Sequence, residues 1–128
     1  MMRAVILIES LKDPHAIEGV EGEEVSRYPL PLNGGTVQVV ELDVPDDSVQ
    51  AACWHLAQVL QPQRYFAQLQ DAEQMYVVFP DAVALVRRGI AATEETAQKI
   101  GALFGIPTSQ MRFLEMFETA HPDVQDAR

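Results

Sequence analysis

Residues 65–87 read Tyr65-Phe66-Ala67-Gln68-Leu69-Gln70-Asp71-Ala72-Glu73-Gln74-Met75-Tyr76-Val77-Val78-Phe79-Pro80-Asp81-Ala82-Val83-Ala84-Leu85-Val86-Arg87. Two short runs rich in aromatic and apolar residues, 65–69 and 75–79, flank the polar Asp71-Ala72-Glu73-Gln74. Pro80-Asp81 then separates the second run from a third, 82–87. Runs of that length, bounded by turn-forming residues, predict an antiparallel meander of three strands. Tyr65, Phe66, Tyr76 and Phe79 alternate on adjacent strands. With only Arg64, Arg87 and Arg88 near them, they read as cross-strand packing rather than as a base-stacking platform.

Towards the N-terminus, Asp46-Asp47-Ser48 predicts a helix start, with acid placed favourably against the helix dipole. Val49, Ala52, Cys53, Leu56, Val59 and Leu60 then recur at i, i+3, i+4, i+7, i+10 and i+11, a single apolar stripe that Pro62 ends. Residues 25–44 predict a hairpin about Asn33-Gly34-Gly35. Pro29 and Pro31 each remove a backbone donor and so assign 25–32 to a sheet edge, while apolar Val39-Val40 suggests burial on both faces. Residues 3–8 form a short β-branched run that reads as a buried strand. The glycines and acids of 11–24 read as a loop with one helical turn from Asp13-Pro14.

Towards the C-terminus, Thr93 is placed to cap a second helix. Glu94 and Glu95 fall in its first turn, and Ala97, Ile100, Leu103 and Phe104 form its buried stripe. Gly105 sits where a left-handed helix end is wanted, and Pro107 follows. Residues 109–117 fit a third short helix or a strand equally well. The expectation is a single α+β domain over 1–118, a mostly antiparallel sheet of five or six strands with two main helices packed on one face, and a frayed polar tail at 119–128.

Charge and composition narrow the function. The 128 residues carry 19 acids against 9 Lys and Arg, a formal net charge of -10. Such a field repels nucleic acid and anionic membrane surfaces, so neither is an expected partner. An apolar fraction of 48% excludes a disordered chain. A lone cysteine cannot make an internal disulfide or a thiolate metal site, and no apolar run reaches the length of a signal-peptide core, which together point to the cytoplasm. Cys53 lies on the helix stripe. Neighbours two apart on a helix point about 200° apart, so it cannot pair with His55 as a nucleophile and reads as a core thiol. His15, His55 and His121 show no metal-ligand spacing, and the acids of 18–24 lack a calcium-loop pattern, so no metal or cofactor is expected.

One further spacing stands out. Gly101, Gly105 and Met111 match a helix-turn-helix, which would present Ser109, Gln110 and Arg112 to a major groove. A helix end that runs from glycine to proline accounts for the same residues.

Residues 65–113 also carry Tyr65-Phe66-Ala67, Met75-Tyr76-Val77-Val78-Phe79-Pro80-Asp81 and Gly105-Ile106-Pro107-Thr108-Ser109-Gln110-Met111-Arg112-Phe113. In these pieces the chain resembles a group of small uncharacterised bacterial α+β proteins. Their pattern has a Tyr-Val-Val-Phe strand and a Gly-Ile-Pro-x-x-Gln-hydrophobic-x-Phe motif, with Arg112 here where that group is acidic. The resemblance implies a compact α+β unit and transfers no functional residue.

These readings converge on a non-enzymatic protein-binding or assembly module of the bacterial cytoplasm, docking a protein partner or a second copy of itself as a homodimer. Trp54, Ile90, Met116 and Phe117 are the apolar candidates for the docking surface, and the edge strand 25–32 offers a site for strand pairing. Two alternatives stand beside it: a transcriptional regulator using a helix-turn-helix at 96–116, and a small enzyme whose centre would bring His55 to Glu9 or Asp43.

Overall fold

The meander of residues 67–87 forms one half of a six-stranded sheet with the order β2-β3-β1-β4-β5-β6, every neighbouring pair antiparallel. The strands are β1 (Met2–Leu7), β2 (Glu23–Leu32), β3 (Gly35–Val44), β4 (Ala67–Gln70), β5 (Gln74–Phe79) and β6 (Ala82–Arg87), with helices α1 (Val49–Val59) and α2 (Ala91–Ala102). This computed structural model describes residues 1–32, 35–119 and 121–122. The turn predicted at Asn33-Gly34 lies outside them.

β1 is the hinge of the topology. Both β3 and β4 run antiparallel to it, so they run parallel to each other. α1, which connects them, must therefore cross over β1 on one face of the sheet. Its stripe packs there: Ala52, Cys53, Leu56, Ala57 and Leu60 bury against Ala4 and Ile6 of β1, Val40, Leu42 and Val44 of β3, and Leu69 of β4. Strand alternation sends the other side chains to the opposite face, where Val5, Leu30 and Val39 form a smaller cluster. Val39 and Val40 are both fully buried, as their neighbouring apolar positions suggest.

The two helices do not share a face, which corrects the sequence expectation. α2 and the segment after it cover the side opposite α1, over Met75, Val77 and Phe79 of β5 and Ala84 and Val86 of β6. The contacting face of α2 is thin, with only Ala97 and Gly101 buried. Bulk comes instead from Ile106, Met111, Phe113 and Met116 in the strap that follows. Phe104 stacks on Phe79 with ring centres 5.9 Å apart, and Phe66 meets Phe113 edge-on at 5.3 Å.

Helix ends also differ from expectation. α2 begins at Ala91, with Ile90 at its N-cap. Thr93 sits inside the first turn, where its hydroxyl donates to Ile90 O at 2.7 Å and accepts from Arg87 N at 3.0 Å. Ser48 does not cap α1, because its hydroxyl donates to Glu21 Oε2 at 2.8 Å. Leu103 leaves the predicted stripe and is 81% exposed. Gly105 does take the left-handed conformation, φ 76°, and Ile106 N donates back to Gly101 O.

Residues 109–117 form neither helix nor strand but two 3₁₀ turns, Thr108–Gln110 and Glu115–Phe117. The helix-turn-helix therefore has no recognition helix. Gly101 and Met111 meet because the strap presses directly against α2, with Arg112 paired to Glu115. In the predicted tail, His121 packs edge-on against Tyr28 and Pro122 is buried. Residues 120 and 123–128 lie outside the described residues.

Candidate functional site

Clefts open on both faces of the sheet, one beside α1 and one beside the strap. The first follows from the position of α1. Beyond its crossover of β1 the helix lies over β4, β5 and β6, and the groove opens between its exposed flank and the outer strands. The resulting groove, about 880 Å³, is lined by Val49, Cys53 and Trp54 of α1 and by Tyr76 and Val83 of the sheet. Trp54 stands one position off the helix stripe and is 59% exposed, with Val83 37% exposed beside it.

Three carboxylates rim this groove: Asp46, Asp71 and Asp81. Asp46 takes the N-terminal ammonium of Met1. Asp71 Oδ1 accepts the backbone N–H groups of Glu73 and Gln74 at 2.8 and 2.9 Å, which fixes the β4–β5 turn. Asp81 occupies the β5–β6 turn at φ 59°, and its N–H donates to Ala57 O of α1 at 3.0 Å. Among the described residues no Lys or Arg side chain lines the groove.

The second cleft lies on the opposite face, between Val5, Leu7, Leu30 and Val37 of the β1–β2–β3 half and the strap that carries Pro107, Gln110, Met116 and His121. It encloses about 520 Å³, and Arg64, Phe66 and Gln68 close its side. Next to it, Tyr28 donates to Glu41 Oε2 at 2.5 Å, and Glu41 also accepts from Arg3, which in turn holds Asp43 at 2.7 Å. Because the phenol proton goes to the carboxylate, His121 Nε2, 2.8 Å from the same phenol oxygen, is the donor of that pair. Burial and the Glu41 carboxylate push the Tyr28 phenol well above its usual range.

Of the four sequence candidates, Trp54 lines the first groove and Ile90 is exposed at the start of α2. Met116 is only 4% exposed and belongs to the core. Phe117 is half-buried beneath the Arg88 guanidinium, 5.8 Å from its ring centre. The structure therefore withdraws Met116 as a surface anchor. Burial pushes the Cys53 thiol up to about 11. His55 bonds the Ala16 carbonyl at 2.7 Å, Glu9 accepts from Gln38 N, and Asp43 holds Arg3, so these residues do not converge. Among the described residues no group of three His, Cys, Asp or Glu could hold a metal ion, and no helix is long and apolar enough to cross a membrane.

Comparison with protein families, curated proteins and solved structures finds no match. The two clefts have to be read from their own chemistry.

The sequence reading missed Gln68, Tyr28, Glu41 and the role of Arg64. An alternating strand does announce that Gln68 and Val77 share a face, but a glutamine facing inward has no local signature. The left-handed backbone of Arg64, φ 77°, has none either.

Proposed function

We propose that this chain is a non-enzymatic protein-binding module that docks a basic, apolar-anchored segment of a partner protein in the groove beside Trp54. The observation that carries this reading is an exposed tryptophan on an apolar floor rimmed by Asp46, Asp71 and Asp81, with no cation among the described lining side chains. Buried aromatic anchors supply most of the energy at such surfaces, and the carboxylates select partners of opposite sign.

The same carboxylates disfavour self-association through this face, since a second copy brings the same -10 charge. Pairing on β2 is also weakened. A paired strand accommodates proline only where its nitrogen faces away from the neighbour, so Pro29 and Pro31 leave the outer edge short of two donors.

Trp54 is the only tryptophan, so its emission reports directly on this groove. The probe is a synthetic amphipathic peptide with two leucine anchors and lysines elsewhere, compared with its glutamate counterpart. The lysine peptide is expected to shift Trp54 emission to the blue, with affinity falling as salt is added. Replacing Asp46, Asp71 and Asp81 by Asn keeps the side-chain oxygen that Asp71 uses in its turn and is expected to weaken binding at least tenfold. Equal responses to the two peptides, or none to the lysine peptide at low salt, would overturn the reading.

A further inference from the structure

The strap-side cavity is on the opposite face of the sheet from the Trp54 groove, and its polar atoms are set by a hydrogen-bond chain that can be read in one direction only. Gln70 Nε2 donates to the backbone carbonyl of Met116 at 3.0 Å, which fixes the Gln70 amide. Gln70 Oε1 must then accept, and it does so from Gln68 Nε2 at 2.7 Å. That leaves Gln68 Oε1 as the atom turned to the cavity, on a side chain of the cavity wall that is only 4% exposed. No group among the described residues donates to it. Water can reach this oxygen, since none of the buried side-chain oxygens among the described residues lacks a partner. A ligand donor entering the cavity would take the place of water there.

A second observation points to the same place. Arg64 lines the cavity from its exposed side and, like Arg87, makes no ion pair among the described residues, whereas Arg3, Arg27, Arg88 and Arg112 each hold a carboxylate. What sets Arg64 apart from Arg87 is its place on the cavity wall, where its guanidinium is open to a carboxylate brought by a ligand. Arg64 also holds the left-handed backbone region, φ 77°, pinned by its N–H donating to Phe104 O at 2.8 Å. A non-glycine residue there is strained, and such strain concentrates at ligand sites.

We infer that this cavity binds a small carboxylic acid, with the carboxylate on the Arg64 guanidinium, an apolar body against Leu7, Val37 and Phe66, and a hydroxyl or N–H donor on Gln68 Oε1. One cation matches one negative charge. A phosphate dianion would meet the same single cation with the Glu41 carboxylate close by, so a monoanion fits better. The volume, about 520 Å³, lies within the range of roughly 300–1,000 Å³ usual for small-molecule sites.

The test uses 4-hydroxyphenylacetate and the full chain labelled with ¹⁵N. Saturable binding is expected at low salt, with shifts at the Gln68 side-chain amide and Gly105 and none at the Trp54 indole. Arg64→Gly, and Arg64→Gln as a variant that keeps a side chain, are each expected to lose at least tenfold in affinity. The uncharged 4-hydroxyphenylacetamide should bind parent and variants equally and weakly. Phenylacetate, which lacks the donor, should bind several-fold more weakly than the hydroxy acid. No shifts at millimolar ligand, affinity unchanged in both Arg64 variants, or shifts confined to the Trp54 indole would each overturn the inference.

Discussion

Gly101→Ala sets two opposing effects against each other at one atom. Alanine is favoured over glycine inside a helix by about 1 kcal/mol, less near a helix end, so propensity alone would make the substitution stabilising. Packing says otherwise. A Cβ at this position would lie 2.2 Å from Met111 Sδ and 3.1 Å from Phe79 Cε1. Ordinary contact begins near 3.4 Å, so the sulfur must retreat by more than 1 Å. Met111 and Phe79 are both fully buried. Overpacking of this kind costs about 1–3 kcal/mol, and the flexibility of methionine places this case in the lower half.

The expected net effect is destabilisation by about 1 kcal/mol, read as a lower urea midpoint with an unchanged slope. Met111→Ala costs about 2–5 kcal/mol by itself through the cavity it leaves. In that background the sulfur is gone and only the milder 3.1 Å approach of Phe79 remains, so Gly101→Ala should instead stabilise by up to about 1 kcal/mol. The double-mutant cycle then shows a favourable coupling of about 2 kcal/mol. A stabilising Gly101→Ala in the parent, or the same effect in both backgrounds, would refute the claim that Met111 is what requires a glycine here.

Other outcomes follow from the same structure. Cys53 holds its proton up to about pH 11 in the fold, against 9 for an unperturbed cysteine. Between these values the folded state binds more protons than the unfolded, so stability falls by about 1 kcal/mol per pH unit once solvent screening of the thiol is allowed for. Below pH 9 the contribution is fully present, and Cys53→Ala should flatten this part of a denaturation-against-pH curve relative to the parent. Arg64→Gly relieves a left-handed residue at about 1–2 kcal/mol but adds the chain entropy of glycine, about 0.5–1 kcal/mol. Thermal or urea unfolding should therefore show unchanged stability or a gain of up to about 1 kcal/mol, and a loss larger than that would contradict the strain. Tyr28→Phe removes the hydroxyl shared by Glu41 and His121. It should cost about 1 kcal/mol and raise hydrogen exchange at Thr119 and His121; unchanged exchange there would show that the pair does not hold this end of the chain.

Much of the fold is legible residue by residue. The runs read at 65–69, 75–79 and 82–87, the prolines that place β2 at an edge, and the α1 stripe are all local patterns; the strands form at 67–70, 74–79 and 82–87, the first shifted towards the turn. α2 shows where such reading fails. β5 is apolar on both faces, with Met75, Val77 and Phe79 on one and Tyr76 and Val78 on the other, so alternation cannot say which face receives the second helix. The Gly101–Gly105–Met111 spacing is real, but it reports a close approach of the strap to α2, and a DNA-reading helix never forms. Trp54 could be picked out because it falls off a stripe. Met116 could not be told from it, since an apolar residue in an irregular segment has no period to betray burial.

From the chain alone come the strand and helix boundaries to within a few residues, the acidic field and the inert place of Cys53, because each depends on neighbours within a turn or a strand. Tertiary structure alone decides that the helices lie on opposite faces, that Asp46, Asp71 and Asp81 gather round Trp54, and that Gln68 Oε1 and Arg64 share one cavity. Those facts depend on which distant segments pack together, and packing is settled by the volume and hydrogen bonding of the whole interior.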